Sequence, residues 1–565
     1  MRLSWGVTIP LRDGVQLAAT IYLPSNCPPA TACIVSITPY VADTLHEVGV
    51  HLAKHGYVFV AVDSRGRGNS EGQFRPLIQE AADGYDVVEW LARQPYCNGK
   101  VAMRGGSYLG YVQWATAKEF PPHLKTIVPA AAPLPGVDFP MRSNIAYPYL
   151  IAWLTLTAGH TSQGNLLGDR TFWSQLYRNW HQSGRAFRCL NGLVNQPSPA
   201  FEEWLAHPRP DEYWDAYNPT APQYANIQIP ILTITGSYDD DQPGALEHHR
   251  RHIRNAGPHG HCRHYLIIGP WDHAGTRIPK LQVGGVTFGR ASLLDLQQLH
   301  IDWYGWVMGE LPKPRFLQKR VAYYVTGLEQ WHYADSLEEV TDHSQSYFLG
   351  SDTNASDPFS SGFLTLESAT GAASSDAYTY DPRNTHGPEV DAESRTDPGS
   401  LVDQSVLFAL RGCALFYHSA PFDRDTEISG FFSLSAWISI DTPDTDLYVS
   451  VHEIATDGAS IRLSSDALRA RYREDIRDPK LIASSEAMLY EFRGFTFISR
   501  QVKKGHRLRL VIAPFGRLVE ASFTQKNYNS GGVVADESIA DARPVTVILF
   551  HDPSHPSVLS VPMGR

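Results

Sequence analysis

The chain has 565 residues, 43% of them hydrophobic and 19% charged, with a formal net charge of −11. That length exceeds what one hydrophobic core serves and predicts two or three domains. The mild acidity, with no basic stretch to neutralise phosphates, excludes a nucleic-acid partner, and no apolar run approaches the ~18 residues that a membrane span needs.

The N-terminus, Met1-Arg2-Leu3-Ser4-Trp5-Gly6, lacks the long apolar core of a secretion signal. The cysteines (Cys27, Cys33, Cys97, Cys189, Cys262 and Cys413) show no CxxC spacing. They read as reduced thiols of a cytoplasmic protein rather than a disulfide frame.

Apolar runs and helical periods alternate through the first third. Ala32–Ile37 and Tyr57–Val62 are unbroken apolar runs, the second ending at Asp63. Helical spacing lies between them from Thr44 to His55, with Gly56 as the stop. Ala81–Ala92 reads as an amphipathic helix, Lys100–Met103 as a strand and Leu124–Ala130 as another. The pattern resumes at Pro230–Gly236, a helix near Gly244–Arg254, the run His264–Gly269 and a helix from about Leu293 to Met308. Unalternated β-branched runs separated by helices predict a parallel sheet covered on both faces.

The stretch 138–221 that interrupts this pattern holds Trp153, Trp173, Trp180, Trp204 and Trp214 at helix-like spacings. It reads as a helical cap inserted into the sheet domain, whose two parts are then 1–137 and 222–345. From 346 to 565 the texture changes to short strands with turn signals, among them Gly430–Ile438, Leu447–Val451, Arg507–Ile512 and Val545–Phe550. That spacing predicts an all-β sandwich.

Arg104-Gly105-Gly106-Ser107-Tyr108-Leu109-Gly110 lies between a predicted strand and a predicted helix. A serine among small residues at such a junction reads as a nucleophile elbow, in which glycines make room and the hydroxyl projects above the sheet edge. A serine hydroxyl needs a base, and the base needs an orienting carboxylate. In α/β-hydrolases the chain order is serine, acid, histidine, with both partners on loops after later strands. Here the acid candidate is Asp239, first of Asp239-Asp240-Asp241, and the base candidate is His273 in Gly269-Pro270-Trp271-Asp272-His273. The Tyr108 N–H and the Tyr40 phenol, on the loop after the Ile34 run, are the candidate oxyanion donors.

These motifs together resemble the cocaine-esterase-like (CocE/NonD) hydrolases, which share a superfamily with X-Pro dipeptidyl peptidases and α-amino acid ester hydrolases. Gly105–Gly110 is similar to their GxSYxG elbow, and Asp63–Gly72 to their D-x-R-G-x-G-x-S-x-G loop. The segments Gly236–Asp239, Gly269–His273, Asp441–Leu447 and Arg469–Arg473 resemble further family motifs. The resemblance implies an α/β-hydrolase domain, a helical cap and a C-terminal jelly-roll domain, with a tyrosine hydroxyl (Tyr40) in the oxyanion hole and no cofactor. It implies hydrolysis of a small-molecule ester or amide through an acyl-enzyme. Arg65 and Asp63 are expected to tie loops together.

Trp153, Trp173 and Trp271 are the candidate apolar walls of a substrate pocket, and Asp240 and Asp241 the candidate ligands for a substrate ammonium. Amine capture of that kind would mark an α-amino acid ester hydrolase or an X-Pro dipeptidyl peptidase. A different class, a non-catalytic carbohydrate-binding protein, is opposed by the presence of every triad element. His248, His249, His252, His259, His261, Cys262 and His264 crowd one stretch. Without a carboxylate-rich partner motif they read as a solvated, partly basic surface, and no metal is expected. The β domain is expected to wall the site and offers a face for homo-oligomer contacts.

Overall fold

The continuous apolar runs form strands because each is buried on two faces. The computed structural model describes residues 1–25, 30–257, 263–368, 373–384, 400–515 and 524–565. The ten strands of its first sheet are β1 (Arg2–Pro10), β2 (Gln16–Leu23), β3 (Thr31–Thr38), β4 (Val58–Asp63), β5 (Cys97–Gly106), β6 (Leu124–Ala130), β7 (Ile231–Tyr238), β8 (His264–Asp272), β9 (Val321–Val325) and β10 (Gln330–Ala334). Their spatial order is β1-β2-β4-β3-β5-β6-β7-β8-β9-β10. The six strands β4-β3-β5-β6-β7-β8, and β9 after them, run parallel, and antiparallel β2 and β10 extend the two sides. β1 and β2 are not among the predicted elements; β1 is a largely exposed edge strand, and β2, between β1 and β4, is mostly buried.

Helices cover both faces. Alternate residues of β3 and β4 (Val35, Val60, Val62) pack on α2 (Glu80–Ala92) and α3 (Tyr108–Ala117), through Val88, Leu91 and Val112. The intervening residues Ile34, Phe59 and Ala61 share the opposite core with α1 (His46–Lys54) and, further along the sheet, α8 (Leu296–Met308). Each Val, Leu, Ile or Phe among them, once fully buried, stabilises the fold by roughly 1.5–3 kcal/mol.

Between β6 and β7 lie α4 (Tyr149–Leu156), α5 (Arg170–Ser183) and α6 (Pro199–Ala206). Trp153, Trp173, Trp180, Trp204 and Trp214 are all buried and belong to the same core as α2 and α3. The inserted helices are therefore packed onto the sheet domain. Helix α7 (Gln242–Asn255) follows β7.

The C-terminal part is a separate β-sheet domain, with 13 strands joined in one sheet among the described residues. It docks through buried polar contacts. The Gln242 side chain donates to the Phe497 carbonyl (3.1 Å) and accepts from the Phe497 N–H (2.6 Å). Arg469, paired with Asp446, also donates to the Asn144 carbonyl (2.9 Å).

The histidine-rich stretch differs from the surface expected of it. His248, His249, His252 and His264 are buried. The His248 ring lies 4.7 Å from that of Trp114, parallel to within 1°, and its Nδ1 is 2.7 Å from the Tyr224 hydroxyl. Burial pushes its pKa down to about 3. Amphipathic spacing on α7 places His248, His249 and His252 inward, and His264 joins them from β8; His252 Nε2 lies 2.9 Å from the Ile227 carbonyl and His264 Nε2 2.8 Å from the Thr233 hydroxyl. His259, His261 and Cys262, like Cys27, lie outside the described residues. Among the described residues, no group of three or more His, Cys, Asp or Glu side chains is placed to hold a metal ion, and no helix is long and apolar enough to cross a membrane.

Candidate active site

Strand β5 ends at Gly106 and α3 begins at Tyr108, so Ser107 forms the whole turn. Its backbone takes φ 62°, ψ −130°, a conformation a non-glycine residue holds only under strain. Two contacts enforce it: the Ser107 N–H donates to the Ala130 carbonyl of β6 (2.9 Å), and the Ser107 carbonyl accepts from Gly110 (2.7 Å). Gly110 must be small because a Cβ there would lie 2.9 Å from the Ala130 carbonyl oxygen. Gly105 has φ +144°, and a Cβ would meet the Leu109 side chain at 2.4 Å. The elbow thus aims the N-terminus of α3 at the space above Ser107. As the first helical residue, Tyr108 has no intrahelical acceptor for its N–H. Its phenol accepts from the Leu77 N–H (2.8 Å) and donates to the buried Glu80 carboxyl. Burial lifts that carboxyl to about 7 against the opposing pull of the phenol.

Asp239 follows β7 and is 2% exposed. Its Oδ1 accepts from His273 Nδ1 (2.8 Å) and from the Asp241 N–H (3.1 Å), and its Oδ2 from the Thr235 hydroxyl (2.9 Å). His273 lies just past the end of β8, the strand paired in parallel with β7, so the two motifs meet because their strands are neighbours. Asp241 Oδ2 stands 3.7 Å from the same His273 nitrogen. Desolvation opposes a charge on this ring, but Asp241 and the bonded Asp239 outweigh it and raise its pKa to about 9.

Ser107, His273 and Asp239 border one cavity of about 630 Å3. No hydrogen bond among the described residues joins the Ser107 hydroxyl to the His273 ring; what they share is the cavity that both border. Tyr40 comes from the loop after β3; its phenol accepts from the Trp153 indole (3.0 Å), and Ser107 is near enough to oppose the upward push of burial on its pKa. The loop is pinned on both sides: Arg67 Nε donates to the Pro39 carbonyl (2.7 Å), and the Ala42 N–H donates to Asp63 (2.6 Å). The Asp63 loop is therefore a structural brace. Arg65 likewise bonds Asp83 and Asp13.

Trp153 and Trp173 line the cavity. Trp271 does not, which corrects the expectation from its place beside His273. It is 0% exposed, its indole N–H donates to the Ser292 carbonyl (3.0 Å), and its ring sits against Trp331 in the opposite core. Gly236 and Gly269 make its berth: a Cβ on either would come within 2.1 Å and 2.3 Å of Trp271 atoms.

Asp240 and Asp241 both face the cavity, as does Asp138, which the sequence reading placed only as the first residue of the insert. Asp138 accepts from the Leu134 and Gly244 N–H groups (2.8 and 2.5 Å). Burial, reinforced by Asp241, drives its pKa well above the carboxylate range. Burial raises Asp240 too, and lifts Asp241 to about 7. No local motif marked Asp138; only its contact with Gly244 of α7 brings it here. The C-terminal domain contributes Tyr448, Arg462 and Asp466 to the same cavity. Another unpredicted neighbour is Arg277, whose guanidinium lies over the Gly106 Cα, with Nη1 2.7 Å from where a Cβ would sit.

An elbow serine, a histidine bonded to a buried aspartate and a doubly covered parallel sheet define an α/β-hydrolase. Residues 13–275 match the X-Pro dipeptidyl-peptidase (S15) family, and residues 316–524 match the X-Pro dipeptidyl-peptidase C-terminal non-catalytic domain. Both domains of the X-Pro dipeptidyl-peptidase (S15) family are thus matched, which supports a place among the CocE/NonD hydrolases, and the protein is a serine hydrolase acting on esters. It is 25% identical to the cocaine esterase of Rhodococcus sp. (strain MB1 Bresler), over 99% of this chain and 98% of that one. Its fold matches a solved α-amino acid ester hydrolase with a TM-score of 0.84 at 20% identity, covering 100% of this chain and 96% of the other. An aminopeptidase from a marine-sediment Thaumarchaeota archaeon matches with a TM-score of 0.83 at 20% identity, over 100% and 96% of the two chains.

Proposed function

We propose that Ser107, His273 and Asp239 form a catalytic triad that cleaves small acyl esters through an acyl-enzyme. The observation that carries this reading is the 2.8 Å bond between His273 Nδ1 and buried Asp239, in the cavity that the strained Ser107 borders. With Nδ1–H committed to Asp239, His273 keeps Nε2 as the basic nitrogen. On seating of substrate this nitrogen takes the Ser107 proton as Oγ attacks the carbonyl, a bond that tightens in the complex rather than in the free enzyme. The tetrahedral oxygen is held by the Tyr108 N–H and the Tyr40 hydroxyl. His273 then protonates the leaving alcohol and activates the water that releases the acid. Residues 138–221 act as the cap and 346–565 as the β domain that closes the cavity. A fluorophosphonate probe tests the assignment: wild type labels and Ser107→Ala does not. Labelling that persists in Ser107→Ala removes Ser107 as the nucleophile.

A second reading concerns the acyl group. Three acidic side chains, Asp138, Asp240 and Asp241, line the cavity that His273 borders. This concentration of acidic oxygen favours a substrate with an α-ammonium group, as the name of the matched α-amino acid ester hydrolase suggests. Paired esters differing only in that ammonium group decide it. If Asp241→Ala leaves their kcat/KM ratio unchanged, amine capture by this cluster is wrong.

A further inference from the structure

The Trp153 indole N–H donates to the Tyr40 phenol oxygen at 3.0 Å. Trp153 is on the cap helix α4 and Tyr40 is on the loop after β3, so this bond crosses from one unit to the other. It is 3% exposed, and its ring also packs 5.4 Å from that of Tyr108. One indole thus contacts both residues assigned as oxyanion donors. Arg67 fastens the same seam: it bonds the Pro39 carbonyl next to Tyr40 and the Gly159 and Thr161 carbonyls just after α4.

A phenol has one hydrogen and two acceptor lone pairs. Indole N–H is a donor only, so Trp153 occupies the phenol oxygen and leaves its proton for another acceptor. The Ser107 hydroxyl also lies within reach of the phenol, and the tetrahedral oxygen will form on the carbonyl carbon that Ser107 Oγ attacks. We propose that Trp153 is a positioning residue, whose N–H orients the Tyr40 hydroxyl toward the reacting carbonyl so that the oxyanion donor is set before substrate arrives. Bonding from the indole also polarises the phenol and makes it a better donor. The cap thereby shapes the catalytic step as well as the substrate pocket. This inference rests on the assignment of Tyr40 to the oxyanion hole.

A double-mutant cycle separates the two ideas. Trp153→Phe keeps an aromatic wall and deletes the N–H. Replacement of Trp153 by 3-benzothienylalanine, which has sulfur in place of the N–H, preserves the ring shape if the Phe variant folds poorly. Tyr40→Phe is expected to lower kcat by about 100-fold or more, the usual effect of losing an oxyanion donor. Trp153→Phe is expected to lower kcat roughly 10-fold with KM within about twofold, because an unoriented donor is only partly lost. In the Tyr40→Phe background the same change is expected to cost less than about twofold. A full, additive loss in both backgrounds, or a raised KM with unchanged kcat, overturns the positioning role and makes Trp153 a pocket wall. An active Tyr40→Phe enzyme overturns the Tyr40 assignment itself.

Discussion

Replacing Asp241 by asparagine isolates the charge that most perturbs the proposed base. Asp241 Oδ2 lies 3.7 Å from His273 Nδ1, on a ring one-third exposed to the cavity. At that separation, with screening between that of a protein surface and water, the attraction is roughly 1–2 kcal/mol, or about 1 pKa unit. The sign follows from the roles. A carboxylate stabilises the imidazolium, and an imidazolium cannot accept the Ser107 proton, so the carboxylate shifts the rise of kcat/KM to higher pH. The wild-type His273 value of about 9 is therefore expected to fall toward 8 in Asp241→Asn, and the variant becomes active at lower pH. Because Asp241 itself titrates at about 7, the two enzymes differ most above neutrality, where the wild-type carboxylate is charged. The assay is kcat/KM against pH for a neutral ester without an amino group, so that substrate binding by Asp241 does not enter. An unmoved rise, or one displaced to higher pH, refutes the claim that Asp241 acts electrostatically on His273.

Three further outcomes test the supporting structure. Trp271→Phe removes the bond to the Ser292 carbonyl and opens a small cavity in the core, so the urea midpoint should drop by an amount equivalent to about 2 kcal/mol while KM stays unchanged; a raised KM returns Trp271 to the pocket. Gly236→Ala drives a Cβ to 2.1 Å from the Trp271 carbonyl oxygen, and calorimetry should show destabilisation of about 3 kcal/mol or more, because backbone cannot yield as a side chain can. Arg65→Ala leaves the Asp83 carboxylate, 8% exposed, without its guanidinium; chemical denaturation should report a loss of about 3 kcal/mol, and a neutral result would mean the brace contributes nothing.

The primary structure alone determined the alternation of buried strands and helices, the elbow and the chain order of serine, acid and histidine. These are local properties: an apolar run buries itself on both faces, and a tight turn demands glycine at fixed offsets. It did not determine which way the tryptophans point. Trp153 and Trp271 are both embedded in predicted motifs, yet one contacts Tyr40 and the other packs against Trp331 in the opposite core. The direction of Trp271 depends on the room left by Gly236 and Gly269, and that of Trp153 on the rings of Tyr108, Phe139 and Trp204. The inward histidines of α7, the Asp138 carboxylate on Gly244 and the Tyr448, Arg462 and Asp466 side chains in the cavity wall have the same origin. Each is set by contact between segments remote in sequence, through close packing and the need to satisfy buried polar groups, and such contacts exist only once the chain has folded back on itself.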